Sequence, residues 1–296
     1  MVKVNRKRFF ITVFILTFAM MMYLGASVLA QSNKTTHSHS EHLGYKLYKG
    51  HLHTHTSLSD GVLLPDDAYR HVKEHTDFDF YAVTEHDVTY DNSTGSDFIT
   101  DYRESYSEEY KILHEQSNAH HVEHEFVTLP GTEVTWYDGA GHINLFDAAW
   151  FPRTYGGGAD GTWGWGDLKY DLPTFYARLA QDPQAIGQFN HPRLTGDWSF
   201  FDFKHYNVDV DQNMNLIEYK SSSGFDIYVK ALDRGWHIAP TFGGDEHNNQ
   251  WGTVQPHVTG IWAEALTRED IYEALRNRQT YVSFDRNFEM VFSANG

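Results

Sequence analysis

Gly50-His51-Leu52-His53-Thr54-His55-Thr56-Ser57-Leu58-Ser59-Asp60-Gly61 decides how this chain is read. The run from Lys46 to His53 predicts a β-strand. Side chains in a strand repeat every second residue, so His53 and His55 point to one face and can grip one ion together. Asp60 follows a short turn and can reach a neighbouring ion. His51 shares the parity but lies deeper, where packing or support is expected rather than ligation.

The same design recurs downstream. Further strands are predicted over Phe80–Thr84, Phe126–Val134, His142–Phe146, Ala185–Asn190, Leu216–Tyr219, Ile238–Phe242 and Val258–Trp262. Helices are predicted over Pro65–His75, Asp101–Gln116, Leu172–Gln181, Phe225–Asp233 and Arg268–Arg278, with Thr267 and Asp270 as an N-cap pair for the last. This alternation gives an α/β fold with a mainly parallel sheet, closed as a barrel. Chemistry in such folds sits at the carboxyl ends of strands. There the chain places Glu85-His86-Asp87, Glu133 in Gly131-Thr132-Glu133-Val134, His142 in Gly141-His142-Ile143-Asn144, Asn190-His191-Pro192-Arg193, and Gly243-Gly244-Asp245-Glu246-His247. Uncompensated charge is costly to bury, and a metal supplies compensation. Glu133 can bridge two cations, which an imidazole cannot. Asp245 and His247 repeat the alternate-residue logic, and Glu246 should point away. Together these are six histidines and three carboxylates, suited to three divalent ions.

Composition narrows the chemistry. The 296 residues are 41% hydrophobic and 16% aromatic, enough to fill a core. Lys and Arg total 23 against 40 Asp and Glu, for a net charge of −17, which disfavours a nucleic-acid partner. The absence of cysteine excludes disulfides, thiolate metal sites and a cysteine nucleophile. With 19 histidines, imidazole and carboxylate are the remaining strong metal ligands. At the front, Lys3, Arg6, Lys7 and Arg8 precede an apolar run from Phe9 to Leu24 and the small-x-small site Val28-Leu29-Ala30. Residues 1–30 therefore read as a signal peptide cleaved after Ala30, leaving an exported, extracytoplasmic chain with no stable membrane insertion. An uncleaved anchor over Phe9–Leu29 is the alternative. Cleavage takes the net charge from −17 to −21. Residues 31–44 read as a polar tether and 45–296 as one domain.

The ordered motifs resemble the PHP domain, the polymerase and histidinol phosphatase superfamily of metal-dependent hydrolases. The opening H-x-H with a downstream Asp looks like His53, His55 and Asp60, and the closing D-x-H like Asp245 and His247. His86, Glu133, His142 and His191 fall between them in the family's order, over roughly residues 45–284. The resemblance implies a distorted seven-stranded (β/α) barrel with three divalent ions of zinc, manganese or iron. By it, His53, His55, Glu133 and Asp245 would hold one ion, Glu133, His142 and His191 the second, and Asp60, His86 and His247 the third. The ending Ala274-Leu275-Arg276 through Gln279-Thr280-Tyr281 looks like the exported CehA/McbA-type branch, some of whose members do not act on phosphate.

The activity this implies is hydrolysis of phosphomonoesters or small phosphodiesters by a metal-bridging hydroxide, with Glu133 central and no serine or cysteine nucleophile. Arg193 is placed either to fork onto an anionic oxygen or to form a salt bridge on this acidic surface. Trp163 and Trp165, in the Gly- and aromatic-rich segment from Trp150 to Trp165 after the His142 strand, are expected to contact substrate as part of a lid, with an ordered surface loop tucked on the barrel as the alternative. Carbamate, amide or ester hydrolysis on the same ions is the runner-up, and a non-catalytic extracellular metal-binding protein the third reading. His71-Val72-Lys73-Glu74-His75 matches a zinc-peptidase string but reads as a solvent-facing helix, and His120, His121 and His124 as a polar insertion. The oligomeric state is not set by the sequence.

Overall fold

A computed structural model describes residues 39–90, 101–152, 154, 168 and 171–292. The chain divides into Met1–His39, of which only His39 is described, and Ser40–Gly296. The expected signal segment thus lies outside the described residues, as do Trp163 and Trp165.

Ten strands occur among the described residues of the second unit: β1 Glu41–His42, β2 Tyr45–His51, β3 Phe80–His86, β4 Val127–Thr135, β5 His142–Phe146, β6 Ile186–Asn190, β7 Met214–Glu218, β8 Ala239–Thr241, β9 Val258–Ala263 and β10 Thr280–Ser283. They form one sheet in the order β10-β9-β2-β3-β4-β5-β6-β7-β8, with β1 on β2. The sheet is nearly closed. Beyond β8 the chain bonds back to the segment after β2: His55 N–H donates to Glu246 O (2.9 Å) and Asp245 N–H to His53 O (3.0 Å). Thr280 on β10 also donates its hydroxyl to Pro240 O on β8 (2.9 Å).

The distorted α/β barrel is therefore present, but its sheet is mixed rather than mainly parallel. β2–β3, β3–β4, β6–β7 and β7–β8 are parallel. β4–β5, β5–β6, β2–β9 and β9–β10 are antiparallel. Only Trp136–Gly141 separate β4 from β5, too few residues for the crossover that parallel strands need.

Every residue of β3 and β4 is buried, as expected for strands covered on both faces. Residues of several strands, including Tyr48, Phe80, Leu129, Phe146, Ile186 and Leu216, share one apolar cluster with Ile271 and Leu275 of the last helix. Six helices are described: α1 Pro65–His75, α2 Glu108–His120, α3 Leu172–Leu179, α4 Val208–Asp211, α5 Gly224–Asp233 and α6 Arg268–Arg276. In α1, Pro65 opens the helix, Asp66 and Asp67 complement its positive end, and Ala68, Tyr69 and Val72 face inward. The Thr267–Asp270 cap is formed: Asp270 N–H donates to Thr267 Oγ1 (3.1 Å). The predicted helix over Asp101–Gln116 starts later, because Ser107 caps it by accepting from Tyr110 N–H (3.2 Å). Trp150 and Phe151, at the start of the expected lid, are core: Trp150 Nε1 donates to Asp182 Oδ2 (3.0 Å), and the Phe151 ring lies 4.9 Å from that of Tyr90.

Candidate metal centre

One end of the barrel gathers all nine predicted ligands. β3 delivers His86 from its last position and β4 delivers Glu133 near its end. The segment after β2 brings His53 and His55, and the segment after β8 brings Asp245 and His247. His191 follows β6. His142 is different, because it opens β5. β5 runs antiparallel to β4, and Thr135 pairs with His142, so the first residue of one strand lies beside the end of the other.

β2 ends at His51, and strict alternation ends with it. Leu52 enters the apolar cluster, while His53 and His55 join the polar one. His51 has the packing role expected of it but leaves the face of His53 and His55: its Nε2 lies 2.9 Å from His257 O, and its ring packs on Phe78.

The geometry centres on Glu133. His53 Nε2 lies 3.2 Å from its Oε1 and His55 Nε2 3.4 Å from its Oε2. His142 Nδ1 and His191 Nε2 each lie 3.3 Å from Oε1, and His86 Nδ1 lies 2.9 Å from Oε2. Asp245 Oδ1 stands 3.4 Å from Nε2 of both His53 and His55, which are themselves 3.1 Å apart. On the outer side, Asp60 Oδ1 lies 3.1 Å from His247 Nε2 and 3.5 Å from His86 Nε2. Three groups bring ligand atoms within 4.8 Å of one another: His55, Asp60, His86 and His247; His53, His55 and Glu133; His86, Glu133 and His142. His86 thus lies between two groups rather than with Asp60 and His247 alone.

These donors fit a metal. Ligands held tetrahedrally at about 2.0–2.2 Å from an ion are separated by about 3.3–3.6 Å. The distances from His53 and His55 to each other, to Glu133 and to Asp245 run from 3.1 to 3.4 Å, with Asp245 reaching the two imidazoles but lying outside the His53, His55 and Glu133 group. Glu133 Oε2 and both ring nitrogens of His142 are buried with no hydrogen-bond partner among the described residues. Such atoms are expensive unless a cation or solvent satisfies them.

Electrostatics agree. Burial opposes charge on His53, but Glu133, Glu218 and Asp245 outweigh it and raise its pKa well above the usual imidazole value. His55 is pushed up to about 9 against the same burial, by Asp245 and Glu133. Burial would raise Glu133, yet His53, His142 and His86 hold it well below the usual carboxylate range. For His86 burial prevails over Glu133 and pushes it down to about 4. A cation entering here would displace protons that the carboxylates otherwise keep on His53 and His55.

The surroundings brace the ligands. Asn190 Nδ2 donates to Glu133 Oε1 (2.7 Å) and to Asn144 Oδ1 (2.8 Å). Glu85 lies behind His55, its Oε2 4.0 Å from His55 Nδ1, and ties down the Asp60 turn, accepting from Thr56 N–H (2.9 Å) and from the hydroxyls of Thr56 and Ser59. Asp87 accepts from Thr135 N–H (2.8 Å) and Thr154 N–H (2.6 Å). Burial, only partly offset by these bonds, pushes it up to about 7. Glu246 points away as expected, accepting from Tyr81 Oη (2.9 Å) and Gly252 N–H (2.8 Å). His191 and Asp245 both have positive φ, 29° and 52°. Non-glycine residues rarely adopt this region, and where they do the site is commonly functional.

Arg193 is exposed, with its guanidinium 4.0 Å from the Trp198 ring centre. Trp198 flanks His142 and His191 at 5.9 and 6.1 Å, so Arg193 stands at the rim. His71 and His75 stack on each other along α1 and join none of the groups. His120 and His121 pair with Asp66 and Glu123 instead. Glu218 and Lys220 were missed by the sequence reading. The one signal available was their place at a strand end, in Leu216-Ile217-Glu218-Tyr219-Lys220.

No protein-family model matches the chain, and no curated protein matches it. Among solved structures, it resembles a two-domain protein from Bacteroides vulgatus containing a predicted PHP-like metal-dependent phosphoesterase. The TM-score is 0.55 at 19% identity, over 84% of this chain and 68% of that one. The lesion-specific endonuclease EndoQ of Pyrococcus furiosus gives 0.48 at 12%, over 80% of this chain and 57% of that one. A provisionally assigned metal-dependent phosphoesterase from Bifidobacterium adolescentis gives 0.43 at 14%, over 77% and 96%. At these identities the likeness is one of fold.

Proposed function

We propose that this chain is an exported metal-dependent phosphoesterase of PHP type, acting on phosphomonoesters or small phosphodiesters, with three divalent ions of zinc, manganese or iron. The observation that carries the proposal is the convergence on Glu133 of five imidazoles at 2.9–3.4 Å, two of which also face Asp245. The described nature of the Bacteroides vulgatus neighbour, a predicted PHP-like metal-dependent phosphoesterase, supports it.

His53, His55, Glu133 and Asp245 would hold one ion, His142 and His191 with Glu133 a second, and Asp60, His86 and His247 a third. Bound ions would supply an acidified water near neutral pH and positive charge for the transferred phosphoryl group. The chain does the rest. Asn190 and Asn144 fix Glu133, Glu85 fixes the Asp60 turn, and Arg193 on Trp198 presents a cation to the substrate's anionic oxygen. Trp163 and Trp165 complete the substrate contacts in this reading. Residues 1–30 direct export with cleavage after Ala30, 31–44 tether the domain at 45–296, and the branch is the CehA/McbA type. The net charge of −17 favours a small substrate over a nucleic acid.

The test is metal analysis of the purified protein, followed by assay of the metal-loaded form on p-nitrophenyl phosphate, bis-p-nitrophenyl phosphate and 1-naphthyl carbamate. Phosphate release that Glu133→Gln abolishes is the expected result. Turnover of the carbamate alone, or bound metal with no turnover of any of the three, overturns the phosphoesterase reading.

A further inference from the structure

Strand β7 contributes none of the nine candidate ligands, yet its end touches three of them. Glu218, the last residue of β7, is buried, and its two oxygens are used separately. Oε1 lies 2.8 Å from His53 Nδ1, and Oε2 accepts His191 N–H at 2.6 Å. The first bond keeps a proton on Nδ1, so that once a cation displaces the other proton the Nε2 lone pair faces Glu133 and Asp245. The second secures the backbone of a residue at a φ of 29°. Two residues on, Lys220 Nζ lies 3.4 Å from Glu218 Oε2 and 3.5 Å from Asp245 Oδ2. Asp245 is thereby divided: Oδ2 faces the ammonium, and Oδ1 faces His53 and His55. Gly243 leaves the space this requires, since a Cβ there would lie 2.6 Å from Glu218 Oε1 and 2.3 Å from His53 Cβ.

We infer that Glu218 is a positioning residue that sets metal affinity at the His53, His55, Glu133 and Asp245 end of the cluster, with Lys220 as the counter-charge that keeps it and Asp245 in place. The inference rests on the reading of the cluster as a metal centre. Glu218 touches no substrate in this scheme. It acts through His53, His191 and, by way of Lys220, Asp245. Ligands contributed by three separate stretches of chain are thus held from one strand end. Loss of such a support costs about 10–100-fold in metal affinity.

The experiment is competition of zinc between the full chain and a chromophoric chelator, for wild type, Glu218→Ala and Glu218→Gln. The imidazole N–H proton of His53 is followed by NMR in parallel. Glu218→Ala is expected to weaken the tightest zinc site by about 10–100-fold and to remove the downfield His53 N–H signal. Glu218→Gln should fall between Ala and wild type, because one carbonyl oxygen can replace only one of the two acceptors. Wild-type affinity in both variants overturns the inference while leaving the metal centre standing. A wild-type protein that takes up no zinc, manganese or iron overturns the metal-centre reading instead. Should Glu218→Ala fail to fold, Glu218→Gln decides on the same criterion.

Discussion

A single added methyl group at Gly243 tests whether the seam between the β2 and β8 ends sets the site. An alanine Cβ would lie 2.3 Å from His53 Cβ, 2.6 Å from Glu218 Oε1 and 2.9 Å from His53 N. Non-bonded carbons rest at about 3.5–4.0 Å, so the two segments must part by about 1.2–1.7 Å. No side-chain rotation relieves this, because one obstacle is the His53 backbone. The Asp245 N–H to His53 O bond, now 3.0 Å, crosses the same gap. Overpacking of this kind costs about 1–3 kcal/mol. At about 2–4 °C per kcal/mol for a domain of this size, Tm should fall by about 6 °C in the middle of that range. The larger effect falls on the donors. Asp245 Oδ1 sits 3.4 Å from His53 Nε2, and separation by an ångström leaves no common point at bonding distance from both. Zinc affinity should therefore fall at least tenfold, about 1.4 kcal/mol. Gly44→Ala is the control: Gly44 has a φ of 87° with nothing within 4 Å of a Cβ. It should lose about 1–2 kcal/mol through backbone strain alone and bind zinc as wild type does. Differential scanning fluorimetry and chelator competition read both quantities. A Gly243→Ala protein with unchanged zinc affinity would refute the reasoning.

Three further outcomes are expected. Glu133→Gln keeps the shape but removes the charge that five imidazoles face, so bound metal should fall by at least one ion per chain, as read by elemental analysis. Arg193→Gln should raise KM for p-nitrophenyl phosphate several-fold while changing kcat less, and circular dichroism should be unchanged, because the guanidinium is exposed and rests on the Trp198 ring. His114, whose pKa is pushed down to about 3 by burial with Arg268 nearby, stays neutral in the fold. The unfolded chain takes up that proton below about 6.5. Stability from this residue is therefore present above pH 6.5 and lost as pH falls toward 3. His114→Gln should flatten the denaturant midpoint between pH 6.5 and 4 relative to wild type.

The fold was legible where a segment's pattern was local. Phe80–His86 is an apolar run that ends in ionisable residues, Val127–Thr135 is β-rich with Glu133 near its end, and both are strands that deliver a donor. The direction of β5 was also within reach, since six residues between Thr135 and His142 leave no room for a crossover helix. The direction of β6 was not, because the chain between Phe146 and Ile186 is long enough for either. β10 was passed over, although Thr280-Tyr281-Val282-Ser283 has β-branched and aromatic character; its pairing with β9 is a tertiary fact. At the site, the alternation of His53 and His55 was readable. That His51 leaves their face was not, since the strand stops at His51 and the backbone turns. Glu218 was hidden because one acid closing an apolar run looks like an ordinary strand end until its two oxygens are seen to reach His53 and His191.

His191 and Asp245 hold their side chains in place from a twist of main chain that glycine or asparagine would accept more easily. A library of variants sorted only for heat resistance should therefore drift toward Gly or Asn at these two positions, and the survivors should be sturdier and inert. Sorting for zinc retention and heat resistance together should leave both positions untouched and find its gains elsewhere in the barrel wall.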